Sequence, residues 1–336
     1  MRCVLIGNYG VANFGDEALR DAFLAAFPDI HWTVVSAQPV LPPAAKIAEL
    51  PRLPLGLRSL FRPWWRTIGV IARADAVVFG GGTLFTDIES VLACFLWGAH
   101  AVVARCFGVP VLLAAQGVGP FRTQVGEGSG RAVFGRAVVV SVRDDASVAR
   151  MASWQLSTPI VQTFDPVFLS FCRDKVSVKI KNVFAVIPRH NSNATFDELY
   201  KSMLSKHQFD EVRLLSLQPD DVTEQETVAR LRMMTSARVT VVPVADQRTL
   251  LEEIEAADTI LCQRFHGALA ALARGKDVRI CPMAPGDKLA ALETAVQAGN
   301  ASALVQEWRD EAERGEAALG QALHRLESQR RRPKRL

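Results

Sequence analysis

Two short stretches of this 336-residue chain bring together residue types that can do chemistry. The first, "GNYGVANFGDEALR" at 7–20, follows the apolar run "CVLI" and carries Asn13, Asp16 and Glu17. An apolar strand, a Gly-rich turn and a helix is how many α/β proteins hold a phosphate. Gly10 and Gly15 have the spacing of such a loop, but Asp16 and Glu17 stand where a phosphate binder carries Lys and Ser or Thr. Carboxylates suit a different partner: one of them can orient or deprotonate an acceptor hydroxyl. Their plainer role is to cap the helix that starts there and to compensate its dipole. The second stretch, "CQRFHGALAALA" at 262–273, sets Arg264 two residues before His266 at a strand-to-helix turn. An imidazole there can act as a general acid when neighbouring arginines and a bound anion tune it.

Ligands of open α/β sheets bind outside the carboxyl ends of the strands, so other strand ends were read the same way. "GGGTLFTD" offers Gly80, Gly81, Gly82 and Thr83, and "AAQGVGPF" offers Gln116, Gly117 and Gly119. Consecutive glycines at such a turn can present amide hydrogens to a ligand at little steric cost. "SVRDDAS" places Arg143 before an Asp-capped helix, with Asp144 and Asp145 as ready salt-bridge partners. "IPRHN" supplies Arg189 and His190, and "APGDK" supplies Lys288. Arg143, Arg264 and Lys288, from both halves of the chain, can converge on one small polyanion. G-x-G-x-x-G is absent from the glycine turns, which disfavours a nicotinamide dinucleotide.

The elements that must position these residues read as two series of apolar strands alternating with helices. "CVLIG", "WTVVSA", "AVVFGGG", "VLLAAQGVG", "AVVVSVRD" and "PIVQTFDPVF" form the first. "VFAVIPRHN", "EVRLLSLQPDD", "VTVVPV", "TILCQRFHG" and "VRICPMAPGD" form the second, with helices over 222–235 and 247–257. Near-continuous Val, Ile, Leu and Ala predict strands buried on both faces, hence mostly parallel sheets. The fold expected is α/β, with two Rossmann-like doubly wound domains facing across a cleft. The polar, lysine-rich segment between 166 and 182 marks the junction. Boundaries follow at 1–170 for an acceptor-side domain and 181–320 for a donor-side domain, with a basic tail over 321–336. The stretch from Ala290 is helical in pattern and is expected to pack near the junction.

With 49% hydrophobic and 22% charged residues the chain is that of a folded protein with a large core. A formal net charge of +4 gives no general reason to expect nucleic acid. Six scattered cysteines without a C-x-x-C pair suit reduced, buried thiols. Cys262 and His266 have a zinc-like spacing but lack a second pair, so no metal is expected. The opening apolar run is too short for a secretion signal, and 91–115 reads as a buried helix plus strand, so a cytoplasmic location is expected. One segment breaks the rhythm. "PRLPLGLRSLFRPWWRTIGVI" at 51–71 interleaves Arg52, Arg58, Arg62 and Arg66 with Leu57, Leu60, Phe61, Trp64 and Trp65. It reads either as an interfacial membrane element or as a helix covering the sheet edge. The basic end "RRRPKRL" reads as a frayed terminus or as a second attraction to an anionic membrane face.

Taken in order, "GNYGVANFGDEAL", "GGGTLFTD", "QGVGPF", "SVRDDAS", "FDPVF" and "RFHGALAAL" resemble the polysaccharide pyruvyl transferase family, from residue 5 to about 290. The resemblance implies two Rossmann-like domains in a GT-B-like arrangement. It implies phosphoenolpyruvate as donor, a sugar as acceptor, a pyruvate ketal as product and no cofactor. Arg143 matches the family's arginine before Asp-x-x-Ser, and Arg264 with His266 its Arg-x-His, here Arg-Phe-His. Lys288 matches a later basic residue. The acidic pair is placed near the reaction without choosing between Asp16 and Glu17. Exopolysaccharide or cell-envelope biosynthesis, with a lipid-linked or polymeric acceptor, follows as the expected setting. The alternative enzyme is a GT-B-type glycosyltransferase using a nucleotide sugar. The non-enzyme alternative is a scaffold subunit, to which the occupied Arg, His and Lys positions run counter.

Overall fold

The computed structural model describes residues 1–39, 46–54, 61–88, 90–174, 176, 182–284 and 287–331. By internal contacts the chain divides into two units. Met1–Val11, Leu19–Pro166 and the chain from Asp310 onward form one; Ala12–Ala18 and Val167–Arg309 form the other. The first crossing after residue 19 therefore falls at the edge of the expected junction. Residues 310–320, assigned by sequence to the second domain, group with the first unit.

The first unit is built on seven parallel strands: β1 (Arg2–Tyr9), β2 (His31–Ser36), β3 (Ile47–Pro51), β4 (Ala76–Gly80), β5 (Val111–Gln116), β6 (Val139–Val142) and β7 (Ile160–Gln162). Their order is β3-β2-β1-β4-β5-β6-β7. The helices following them include α1 (Phe14–Ala26), α2 (Trp64–Ile71), α3 (Val91–Cys106), α4 (Gln124–Phe134) and α5 (Asp145–Trp154). The second unit holds α6 (Val167–Arg173) and five parallel strands: β8 (Val183–Ile187), β9 (Glu211–Ser216), β10 (Val239–Pro243), β11 (Thr259–Cys262) and β12 (Val278–Ile280). Their order is β10-β9-β8-β11-β12. Between and after them run α7 (Ala194–Lys206), α8 (Val222–Arg232), α9 (Gln247–Ala256), α10 (Phe265–Ala273) and α11 (Lys288–Ala298), followed by the long α12 (Ala301–Arg331).

Both sheets are doubly wound parallel sheets, as the apolar runs predict. Every residue of β4, β5 and β8 is buried, which a strand covered by helices on both faces requires. Short polar side chains start the helices: Asp144, Asn193, Asp221, Asp246 and Asp287 each accept an amide hydrogen from the first turn that follows. In each sheet the strand order reverses once, between β1 and β4 and between β8 and β11. The loops after these four strands are where a ligand has room to enter.

Several expectations need adjusting. Pro51 closes the edge strand β3, so only the later part of 51–71 is helical, as α2; Leu57, Arg58 and Leu60 lie outside the described residues. The 91–115 run is α3 plus β5, and no helix among the described residues is long and apolar enough to cross a membrane. Residues 321–331 of the basic tail continue α12, and Arg330, at the start of the end read as frayed, pairs with Asp75. The final five residues lie outside the described ones. Cys3, Cys94, Cys262 and Cys281 are buried, whereas Cys106 is exposed.

One buried polar contact ties α3 into the first unit. His100 is fully buried; its Nε2 accepts the Leu53 amide hydrogen at 3.1 Å, so Nδ1 carries the proton and donates it to the Leu96 carbonyl at 2.8 Å. Burial pushes this imidazole down to about 4, with Arg52 adding to the shift. The unfolded chain therefore binds a proton at His100 below its ordinary value near 6.5 while the folded chain does not until about 4. Stability is expected to fall by about 3 kcal/mol as pH drops through that window. Denaturant titrations at stepped pH on the wild type and His100→Gln check this. The variant should lose the slope that His100 contributes.

Candidate functional site

Arg264 ends the β11 loop as the residue before α10, and its guanidinium turns back toward the ends of β8 and β9. Nε donates to the Pro188 carbonyl at 3.2 Å, and one terminal nitrogen donates to Gln218 Oε1 at 2.8 Å and pairs with Glu224. Glu224 has no exposed side-chain surface. Its Oε1 accepts from Ser216 Oγ at 2.8 Å and from the Gln218 amide at 2.9 Å. A carboxylate so deeply buried is tolerable only because donors cover both oxygens. The pair thus fixes the ends of β9 and β11 and the start of α8 as one block.

Positive charge accumulates around this block. Arg189 follows β8, its amide donating to Gln263 Oε1 at 3.3 Å across the point where the strand order reverses. Burial, and next the Arg189 cation, push Arg264 down to about 10, against the pull of Asp221. It remains cationic at neutral pH. His190 is held below its ordinary value by burial first, then by Arg264 and Arg189; Asp221 and Gln218 oppose the shift. α10 starts here without a side-chain cap, so its positive dipole end adds to the two guanidinium groups. Two guanidinium groups gathered beside an uncapped helix start favour an anion.

His266 occupies the second position of α10, and its ring lies against Gly15. A Cβ at residue 15 would overlap His266 Nδ1 and Cε1, so the imidazole can sit here only because Gly15 has no side chain. Asn13 begins this turn: its Oδ1 accepts the Gly15 amide hydrogen at 3.1 Å, and its carbonyl accepts those of Asp16 and Glu17. Asn13, and not the acidic pair, is therefore the cap of α1. Asp16 and Glu17 are half-buried in its first turn, next to the glycine that His266 covers. The second unit thus gathers an imidazole, two carboxylates and a cationic strand-end block. Lys288 opens α11 as an exposed side chain behind its cap Asp287.

The remaining candidates cluster at the ends of β4, β5 and β6 in the first unit. The Gly117 amide donates to the Gly82 carbonyl at 2.8 Å, and a Cβ on Gly117 would overlap Thr83 Oγ1. Arg143 donates its amide to the Gln116 carbonyl at 3.2 Å. Four of these residues have close partners within the fold. Gln116 is fully buried, and its Nε2 donates to the carbonyls of Phe79, Gly81 and Ala114. Gly81, at φ +73°, donates its amide to the Ala114 carbonyl; a Cβ there or on Gly80 would strike Leu19 or Leu5 and Tyr9. Gly119 likewise donates its amide to the Phe85 carbonyl. Arg143 pairs with the buried Asp165, while Asp144 caps α5. Sequence reading passed over Glu224, Gln218 and Asp165. Glu224 was masked by its spacing from Asp221, which has the pattern of an ordinary helix-capping box.

The comparisons with known proteins agree with this architecture. The family described as polysaccharide pyruvyl transferase matches residues 13–281. Curated proteins include no match to the chain. Among solved structures the chain is similar to a putative UDP-N-acetylglucosamine 2-epimerase from Listeria monocytogenes, with TM-score 0.58, 12% identity, and 94% of this chain and 90% of that one covered. The UDP-N-acetylglucosamine 2-epimerase from Rickettsia bellii gives 0.56 at 12% identity, covering 96% of both chains. Anabaena Alr3699/HepE, solved with UDP-glucose, gives 0.53 at 12% identity, covering 98% of both. At that identity the likeness is one of fold: two Rossmann-like domains of the GT-B kind. The family match takes in the first turn of α1, both glycine loops, Arg143 and the Arg264–His266 turn, and the chain belongs to the polysaccharide pyruvyl transferase family.

Proposed function

We propose that this protein transfers the pyruvyl group of phosphoenolpyruvate onto two hydroxyls of a sugar in a cell-surface polysaccharide or its precursor, forming a ketal and releasing phosphate. The observation that carries the reading is the packing of His266 against Gly15. It sets an imidazole beside two carboxylates and next to a cationic strand-end block, which supports reading His266 as the general acid. Phosphoenolpyruvate carries a phosphate and a carboxylate, the charges such a block would hold through Arg189 and Arg264. Lys288 supplies a further cation. Arg143, matched by Asp165, is left out of the step.

In this reading His266 gives its proton to the methylene carbon, making a methyl group and a cationic carbon stabilised by the ester oxygen. The first sugar hydroxyl attacks that carbon; Asp16 or Glu17 takes its proton and passes it to His266, which restores the imidazolium. The second hydroxyl then displaces the phosphate, which departs with that hydroxyl's proton. Two C–O bonds, one C–H bond and one phosphate O–H bond form; the C=C π bond, the C–OP bond and the two sugar O–H bonds break; no metal or redox cofactor enters.

Thermal denaturation with phosphoenolpyruvate tests donor binding. At one hundred times the dissociation constant a ligand specific to the folded chain adds about 2.7 kcal/mol. The shift is expected in the wild type and should be lost in Arg189→Ala; a shift with UDP-glucose alone would point instead to a glycosyltransferase. A second outcome concerns acid–base geometry. Gly15→Ala pushes the His266 ring aside, so it should keep the donor-induced shift yet lose phosphate release by at least about a hundredfold. Full turnover in that variant, or in a folded His266→Ala, would sink the assignment. Titration adds a third. An anion on the block relieves the repulsion that depresses His190, so its pKa, followed by NMR, should rise on adding phosphoenolpyruvate. Donor binding should then tighten as pH falls through that range, and an unmoved His190 counts against this placement.

A further inference from the structure

The first unit carries a surface that the proposed chemistry does not use. α2 lies against α3, and α3 against α4, over one core cluster of that unit. The four Phe and Trp side chains exposed among the described residues are Phe61, Trp65, Phe95 and Phe107, and all belong to α2, α3 or their flanks. Along α3, Leu92, Phe95, Ala99, Val102 and Cys106 recur at spacings of three and four, and each is exposed. That is an apolar stripe on the side of the helix turned away from the core. Beside it a groove of about 220 Å³ runs between α3 and α4, with Phe95, Val102 and Val133 in its walls and Arg105 and Arg136 in its lining.

Among the described residues, the charges carried by α2 and α3 have one sign. α2 and α3 contain no Asp or Glu. Arg66, Arg105 and Arg136 are exposed and make no ion pair among the described residues. Neighbouring carboxylates are turned to other work: Asp87 accepts from the Thr123 amide and hydroxyl, and Glu127 accepts from Trp154 Nε1. A soluble chain seldom leaves so large an apolar patch uncovered. A second copy meeting this face about a two-fold axis would set the same arginines opposite one another, with no carboxylate on α2 or α3 to answer them.

We propose that the α2–α3–α4 face docks on the surface of an anionic phospholipid bilayer. Phe61, Trp65, Phe95 and Val102 enter the boundary between headgroups and acyl chains, and Arg66, Arg105 and Arg136 meet lipid phosphates. The contact lies on the surface, since no described helix can cross. It rests on this face alone and stands whichever sugar is modified.

Flotation of the full chain tests it, with vesicles of phosphatidylcholine alone or with one third phosphatidylglycerol. Binding is expected only to the anionic vesicles and should fall at high salt. Arg105→Glu/Arg136→Glu and Phe95→Ser/Val102→Ser should each weaken it by about tenfold or more, since each basic side chain and each buried apolar group adds to the attraction. Circular dichroism and melting confirm that these exposed positions leave the fold intact. Removal of residues 332–336 should keep most of the binding. The proposal is overturned if the wild type fails to float, if the face variants float like wild type while loss of the tail abolishes binding, or if sedimentation shows a dimer that the face variants dissociate.

Discussion

The buried pair of Arg264 and Glu224 is the constraint on which the second unit's site depends. Glu224 cannot be charged without its three donors, and Arg264 cannot face inward without Glu224. Losing one partner of such a pair costs about 3–5 kcal/mol, because the other charge stays buried alone. Its worth to the site is more than stability. A guanidinium anchored through Pro188, Gln218 and Glu224 has no torsional freedom left to lose when an anion arrives. The start of α10 is left without a side-chain cap, since the residue before it is Arg264, whose guanidinium has no acceptor to offer the first-turn amides.

The first unit repeats the device with different residues. Arg143 leaves β6 as Arg264 leaves β11, and each guanidinium is met by a carboxylate that is almost wholly buried, Asp165 or Glu224. The two differ in what surrounds them. Around Arg264 a second cation, Arg189, adds to the effect of burial in holding it down; around Arg143 the loops after β4 and β5 spend their amides on one another. A balanced pair stiffens a sheet end, whereas an excess of positive charge leaves an attraction for something that is not protein.

Most of the fold was legible in the sequence because a strand covered on both faces must be apolar at nearly every position. β4, β5 and β8 announce themselves in this way. β3 did not, since an edge strand half open to water carries Glu49 and ends in Pro51 without an apolar run. The site was legible in its residue types and less so in their duties. Gln116 and Gly81 stand at strand ends where a polar group can serve either a ligand or the neighbouring strand, and only packing distinguishes the two. Asp165 and Glu224 lie 22 and 40 positions from their arginines, beyond any local spacing rule. His266 and Gly15 are farther apart still; each sits in a short, unusual motif, but only the packing shows that they meet.

That last contact bears on how such a chain can be recombined. The first turn of α1 belongs by its contacts with residues from Val167 onward, although more than 140 residues of the other unit separate them in sequence. A chimera of two homologues joined between Pro166 and Val167 looks like a clean exchange of halves. It would draw its carboxylates and its glycine from one parent and its imidazole from the other. The imidazole and its neighbours are inherited together only when the splice carries residues 12–18 along with the C-terminal half.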